Sequence, residues 1–334
     1  MYIYLGRYGL CDAKVILIEY DTQQVVEMRI ADSILDLRFN TPMVRLTRVV
    51  PRGCAEVLAK LEFLSPSGSV KDRIALYMIE QAERRGELKP GYRIVEATTG
   101  NTGIAFALAG MLKGYGVTIV MPEGMSDERK KILRAYGADL VFTAGTETAV
   151  DECVRKVKEI RRSQNNVWVP GQFTSQDNVR AHQTTTGPEI VGQAGRDVDA
   201  FVAGVGSGGT LMGVAKHFKE NGIDAEIVAV EPAECAVMSG GRNGPHRIEG
   251  IGDGFIPEIV DMKLITGVEV VSDAEAIRMA RRLAKEEGIL AGISSGANVA
   301  AAIAVAKRLG NGKRVVTVIP DTGMRYFSTD LFEE

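Results

Sequence analysis

The sequence predicts an α/β protein made of two open, twisted parallel-sheet domains. Three observations predict it. From Tyr92 onward, short β-rich runs alternate with longer helical patterns. The runs are continuously apolar, as expected of parallel strands covered on both faces. The alternation comes as two series separated near Pro170 to Asn178, which leaves a crevice between two sheets. A length of 334 residues suits two such units.

In the first series, Arg93 to Glu96 reads as a strand and the Ala- and Leu-rich stretch Asn101 to Lys113 as a helix. Val117 to Met121 is the next strand. Ser126 to Tyr136 follows as a helix whose start is flanked by Ser126 and Arg129. Asp139 to Phe142, Thr146 to Ser163 and Val167 to Val169 repeat the pattern. The second series runs through strand Ala200 to Ala203, helix Gly208 to Glu220 and strand Ile227 to Val230. It closes with helices Asp273 to Glu287 and Ala297 to Leu309 and strand Arg314 to Ile319. Before both series, Val15 to Tyr20 and Val25 to Ile30 suggest a small hairpin around Asp21 to Gln24, an added edge or an oligomer contact.

Composition narrows the function. With 45% hydrophobic and 25% charged residues, the chain is that of an ordinary globular protein. Forty basic against 43 acidic residues leave a net charge of -3, without the basic footprint that phosphate-backbone binding needs, so no nucleic-acid partner is expected. No run approaches the roughly 20 apolar residues of a membrane span, so no membrane partner is expected, and Met1 to Leu10 lacks a signal-peptide layout. Cys11, Cys54, Cys153 and Cys235 are widely spaced and read as reduced, cytosolic thiols. His182, His217 and His246 match no metal-ligand spacing, so no metal is expected. The excess is in glycine, 37 residues, clustered where backbone must approach something closely.

Three segments look chemical. Gly204-Val205-Gly206-Ser207-Gly208-Gly209-Thr210 follows a strand and opens a helix, where backbone N–H groups converge on an anion and the helix dipole favours negative charge. It also satisfies the dinucleotide pattern, with Glu231 about twenty residues on, so a Rossmann dehydrogenase stays open at this point. Thr98-Thr99-Gly100-Asn101-Thr102-Gly103 places three hydroxyls and an amide around a helix start, a cradle for a carboxylate or simply a set of caps. Ser67-Gly68-Ser69-Val70-Lys71-Asp72-Arg73 puts Lys71 in the first turn of a helix. There the positive pole opposes a cation and would depress the amine's pKa, as a Schiff-base lysine requires.

Together, in this order and spacing, the three segments resemble the cysteine synthase and cystathionine β-synthase family of pyridoxal-phosphate (PLP) enzymes, fold type II. The likeness runs from Asn40-Thr41-Pro42 to Arg325-Tyr326-Phe327-Ser328-Thr329 and includes Thr185-Thr186-Gly187-Pro188-Glu189-Ile190, Gly250-Ile251-Gly252 and Gly292-Ile293-Ser294-Ser295-Gly296. The resemblance implies PLP in the crevice between the domains. Lys71 would bind it as an internal aldimine, Gly206, Ser207, Gly208, Gly209 and Thr210 would hold its phosphate, and Asn101 its 3-oxygen. Ser294 would face the pyridine nitrogen. Thr98, Thr99, Gly100 and Thr102, with Gln172, would hold the substrate α-carboxylate. A dehydrogenase leaves Lys71 and the Thr-Gly-Asn-Thr-Gly loop unexplained.

The resemblance further implies a transferase making L-cysteine from O-acetyl-L-serine and sulfide through an α-aminoacrylate. The alternatives are an O-phosphoserine sulfhydrylase or a cystathionine β-synthase. It implies a cytoplasmic homodimer and serine acetyltransferase as a protein partner. The expected division is an N-terminal extension (1–30), a smaller substrate-binding α/β domain (31–40 and 65–175) and a larger PLP-phosphate-binding α/β domain (41–64 and 176–334). Arg242, His246 and Arg247 are the candidates for anchoring a phosphorylated donor, with Glu249 and Asp253 beside them arguing against it.

Overall fold

The computed structural model describes residues 16–19, 25–28, 30–145 and 150–332. Its strands are β1 (Ile16–Glu19), β2 (Val25–Met28), β3 (Met43–Leu46), β4 (Glu56–Leu61), β5 (Arg93–Ala97), β6 (Gly116–Pro122), β7 (Asp139–Thr143), β8 (Val167–Trp168), β9 (Ala200–Gly204), β10 (Glu226–Pro232), β11 (Gly267–Val271) and β12 (Arg314–Ile319). The α-helices are α1 (Lys71–Arg84), α2 (Asn101–Leu112), α3 (Asp127–Ala135), α4 (Val150–Ser163), α5 (Gln176–Thr184), α6 (Thr186–Ala194), α7 (Gly209–Glu220), α8 (Asp273–Arg282) and α9 (Ile293–Leu309). One sheet has six strands in the order β11-β10-β9-β12-β4-β3 and the other four in the order β7-β6-β5-β8. The α/β fold class with parallel sheets is therefore present.

Side-chain alternation explains why the strands read as unbroken apolar runs. Along β12, Val315 and Ile319 enter a core shared with α8 and α9, while Val316 and Val318 enter a core shared with α6 and α7. In the smaller sheet Ile94, Val117 and Ile119 pack with α1 and α2, and Val95 and Val120 pack with Cys153 and Val157 of α4. Both faces of each sheet are covered, so most strand positions are apolar.

Several elements differ from the sequence expectation. β3, β4 and β11 had no counterpart in it, and β3 runs antiparallel to β4, so the larger sheet is mixed at that edge. β3 is only four residues long and its Arg45 side chain lies in solvent, too short and too mixed for a period to show. The helix expected from Asp273 to Glu287 is α-helical to Arg282, and a π-helical turn then spans Leu283–Glu287. α9 begins at Ile293, four residues before the expected Ala297. β1 and β2 pair antiparallel, Ile16 against Met28 and Glu19 against Val25. Cys11, Val15, Tyr20, the turn Asp21 to Gln24 and the expected helix start at residues 146–149 lie outside the described residues.

What positions the site is the direction of the parallel strands. β5 ends at Ala97, β9 at Gly204 and β12 at Ile319, and the segments leaving all three strands line one cleft. This is the carboxyl edge at which open α/β sheets collect ligands.

One contact shows how closely the layers meet. A Cβ added to Gly296 on α9 would land on the carbonyl oxygen of Ala276 and lie 2.7 Å from the amide nitrogen of Ala280, both on α8. Since the obstacle is backbone, Gly296→Ala should destabilise the fold by roughly 1–3 kcal/mol through overpacking. A denaturant melt at fixed protein concentration checks this, and an unchanged midpoint would contradict it.

Candidate active site

Lys71 is the first residue of α1 and follows Val70, which has no side-chain cap to offer. Backbone ties fix the segment instead. Val70 N–H donates to the Pro320 carbonyl (2.8 Å) and Thr322 N–H to the Gly68 carbonyl (3.2 Å), so the helix start is laced to the exit of β12. The Lys71 amine is buried against the cleft. Burial lowers its pKa, with the charges of Asp253 and Asp321 pulling the other way. The leading cause is desolvation rather than the helix pole expected from the sequence.

Two residues along, Arg73 is wholly buried. Its guanidinium clamps Glu62 (Nε to Oε2, 2.7 Å; Nη2 to Oε1, 2.9 Å) and Glu189 of α6 (Nη1 to Oε1, 2.8 Å; Nη2 to Oε2, 2.7 Å), and it donates to the Thr41 hydroxyl at 3.0 Å. Lys60 closes the cluster, reaching Glu189 at 2.9 Å and the Thr41 carbonyl at 2.9 Å. Burial alone would raise the Glu189 carboxyl, but Arg73 and Lys60 hold it down at about 2. The stretches Asn40-Thr41-Pro42, Lys71-Asp72-Arg73 and Pro188-Glu189 thus converge beneath the lysine. No composition or spacing signal places those charges together.

The glycine turn leaves β9 and enters α7. Gly208 has φ +84°, a left-handed conformation suited to glycine, and a Cβ there would strike Val260 Cγ2. Ser207 Oγ accepts from Asn178 Nδ2 at 3.0 Å. Thr210 Oγ1 lies 3.2 Å from His182 Nε2, while His182 Nδ1 lies 2.8 Å from Thr186 Oγ1. Burial, with the charges of Arg73 and Lys71, pushes the His182 pKa well below its usual value, so the ring is neutral. Gly206, Ser207, Gly208, Gly209 and Thr210 all line the cleft. His182, dismissed as a metal ligand from sequence, instead orients this turn.

The third turn leaves β5. Thr98 Oγ1 accepts from Gly100 N–H at 3.1 Å, and Thr102 Oγ1 donates to Gln172 Oε1 at 2.7 Å. The Asn101 amide is held on both sides: Nδ2 donates to Asp321 Oδ2 at 2.7 Å, and Oδ1 accepts from Arg325. Tyr326 also donates to Asp321 Oδ2, at 2.7 Å. Thr98, Thr99, Asn101, Thr102 and Gln172 line the same cleft as Lys71. Gly100 does not; it is the N-cap of α2, and its missing Cβ makes room for the Arg129 side chain. Ser294, near the start of α9, lines the cleft with a hydroxyl that makes no hydrogen bond among the described residues.

Sequence reasoning missed four contributors. Arg129 of α3 lines the cleft, pairs with Glu249 and lies over the Tyr326 ring at 4.6 Å. Asp321 and Arg325 fix Asn101 without lining the cleft. Glu96, wholly buried in β5, accepts the backbone N–H groups of Gly171 (3.0 Å) and Gln172 (3.1 Å) and so shapes the loop carrying Gln172. Burial raises the Glu96 carboxyl to about 7, those two hydrogen bonds notwithstanding.

That shift has a definite sign. The folded carboxyl holds its proton up to about pH 7, the unfolded one only to about 4.5, so folding takes up a proton in between and stability from this group falls as pH rises through that window. Relative to Glu96→Gln, the wild type should lose melting temperature between pH 5 and pH 7.5. Parallel thermal melts at the two pH values check it, and a constant gap between the two proteins would contradict it.

Comparison with known proteins agrees with this arrangement. The family profile described as "Pyridoxal-phosphate dependent enzyme" matches residues 34–321. A cysteine synthase of Staphylococcus aureus is 50% identical over 302 residues, covering 90% of this chain and 97% of that one. Among solved structures, the O-acetylserine-dependent cystathionine β-synthase of Helicobacter pylori superposes with a TM-score of 0.86 at 39% identity, covering 91% of this chain and all of that one. The cysteine synthase of Entamoeba histolytica superposes with a TM-score of 0.86 at 38% identity, covering 95% and 94%.

Proposed function

The chain belongs to the pyridoxal-phosphate dependent enzymes, and from that premise we propose that it makes L-cysteine from O-acetyl-L-serine and sulfide by β-replacement. One observation carries the reading: a buried amine, an anion-binding glycine turn, a second hydroxyl-lined turn and an unpartnered serine hydroxyl face one cleft. This donor set suits PLP. The turn at 206–210 suits a phosphate, because it leads into the start of α7, where backbone N–H groups and the helix pole favour an anion. Lys71 would hold the cofactor covalently, Asn101 would bond its 3-oxygen, and Ser294 would face its ring nitrogen.

When bound, PLP supplies an electron sink for charge developing at the substrate Cα. The protein's part is positioning and proton transfer. Thr98, Thr99 and Thr102, with Gln172 and the α2 N-terminus at Gly100, are read as the grip on the α-carboxylate, where the helix pole favours an anion. Lys71 Nζ, its basicity lowered by burial, takes the Cα proton and can return one later. A hydroxyl at Ser294 does not keep the ring nitrogen protonated as a carboxylate would. Such a partner at Ser294 would suit prompt departure of acetate from Cβ. Sulfide then adds to Cβ in its place.

The division into a smaller unit (31–40 and 65–175) and a larger one (41–64 and 176–334) is supported by the sheets. β5 to β8 all fall in the first, and β3, β4 and β9 to β12 in the second. The family resemblance supports a cytoplasmic homodimer with serine acetyltransferase as a partner. The Helicobacter pylori neighbour supports a second reading, in which the donor is the same and homocysteine replaces sulfide.

The reading predicts that the wild-type holoenzyme forms L-cysteine from O-acetylserine and sulfide, faster than it forms cystathionine from O-acetylserine and homocysteine. Absence of cysteine would overturn it. After borohydride reduction, peptide mass spectrometry should find the pyridoxyl group on Lys71 and none at that position in Lys71→Ala. A wild-type adduct elsewhere would remove Lys71 from its role.

A further inference from the structure

The cleft contains a carboxylate that the proposed reaction does not use. Asp253, in the segment after Gly250-Ile251-Gly252, lines the cleft, is 8% exposed and makes no hydrogen bond among the described residues. Its compensating charge is Lys71, the amine that would carry the cofactor, and Asp151 of α4 adds further negative field. A buried carboxylate with no donor of its own meets whatever enters.

The cations that could offset it are committed. Only Lys71 and Arg129 are positively charged among the cleft-lining residues, and Arg129 is paired with Glu249. The sequence candidates for a phosphate anchor point elsewhere. Arg247 pairs with Asp273 (3.4 Å) and Asp330 (2.6 Å), His246 Nε2 lies 2.8 Å from the Gly252 carbonyl, and Arg242 is exposed outside the cleft.

We propose that Asp253, together with Glu249, sets the charge selectivity of the cleft: amino acids with an uncharged group beyond Cβ are admitted and those with an anionic group there are turned away. This rests on the reading of the cleft as a β-replacement site and selects an acyl ester over a phosphate ester as the donor. A dianion on the donor's own side chain, without the backbone N–H groups that the 206–210 turn offers the cofactor phosphate, is repelled by the unpaired carboxylate, and with Arg129 held by Glu249 no free cation offsets the repulsion.

The test uses the holoenzyme and two amino acids of similar size, neutral L-methionine sulfone and anionic L-homocysteate. Neither carries a leaving group on Cβ, so visible-absorbance titration reads binding without turnover. The wild type should bind the sulfone more tightly. In Asp253→Asn the ratio of the two Kd values should fall by about ten-fold or more. Glu249→Gln, which removes the carboxylate that neutralises Arg129 at the cleft, should lower it as well. A general loss of structure would weaken both probes alike and leave the ratio unmoved. Equal binding of the two by the wild type, or an unchanged ratio in Asp253→Asn, overturns the proposal. Cysteine formation from O-acetylserine and sulfide is assayed separately: its absence removes the reaction, whereas its presence with an unchanged ratio removes only the role of Asp253.

Discussion

Everything in the cleft depends on where α1 begins, and a buried group of four charges decides that. Arg73 cannot leave its pocket without stranding Glu62 and Glu189, and Glu189 is bound in turn by Lys60. Losing one partner of such a cluster costs on the order of 3–5 kcal/mol, because the remaining charge stays buried. Arg73 shares the first helical turn with Lys71, so the cluster sets the rotation and height of the lysine-bearing helix. It also joins β4, α1 and α6, three elements distant in the chain.

The two turns that face Lys71 are fixed by different means. The glycine turn is braced from behind by side chains: Asn178 on Ser207, and His182 on Thr210. The β5 turn is braced by charge. Asp321, Arg325 and Tyr326 form a buried set around the Asn101 amide, and Arg325 reaches the Ser67 carbonyl as well. That last contact ties the Asn101 support to the turn before α1. The amide and the lysine are therefore held from the same side, by the segment that follows β12.

The architecture was largely legible because parallel strands buried on both faces leave unbroken apolar runs, and the glycine turns announce themselves between a strand and a helix. Twelve of the thirteen residues singled out for the site line one cleft, and Gly100 stands at its rim as a helix cap. What stayed illegible was long-range pairing. Arg73 reads as an ordinary helix residue until Glu62 and Glu189 arrive from elsewhere. Arg129 reads as a helix-start cation, although it is buried against Tyr326 and Glu249. His182 gives no metal-spacing signal because its partners are hydroxyls. β3 was missed for the opposite reason: four residues at a solvent-facing edge carry too little pattern.

The strand order has a consequence for synthesis on the ribosome. The smaller sheet uses strands from residues 93 to 168 and can complete its pairing while the rest of the chain is still being made. The larger sheet cannot. β12, the last strand among the described residues, lies between β9 and β4, so those two strands wait with unpaired edges until residues 314–319 emerge. Exposed strand edges invite pairing with other chains, and non-local pairing is slow. The nascent protein is thus most vulnerable to aggregation just before β12 emerges, and a chain cut short before β12 would keep a sheet split at its centre.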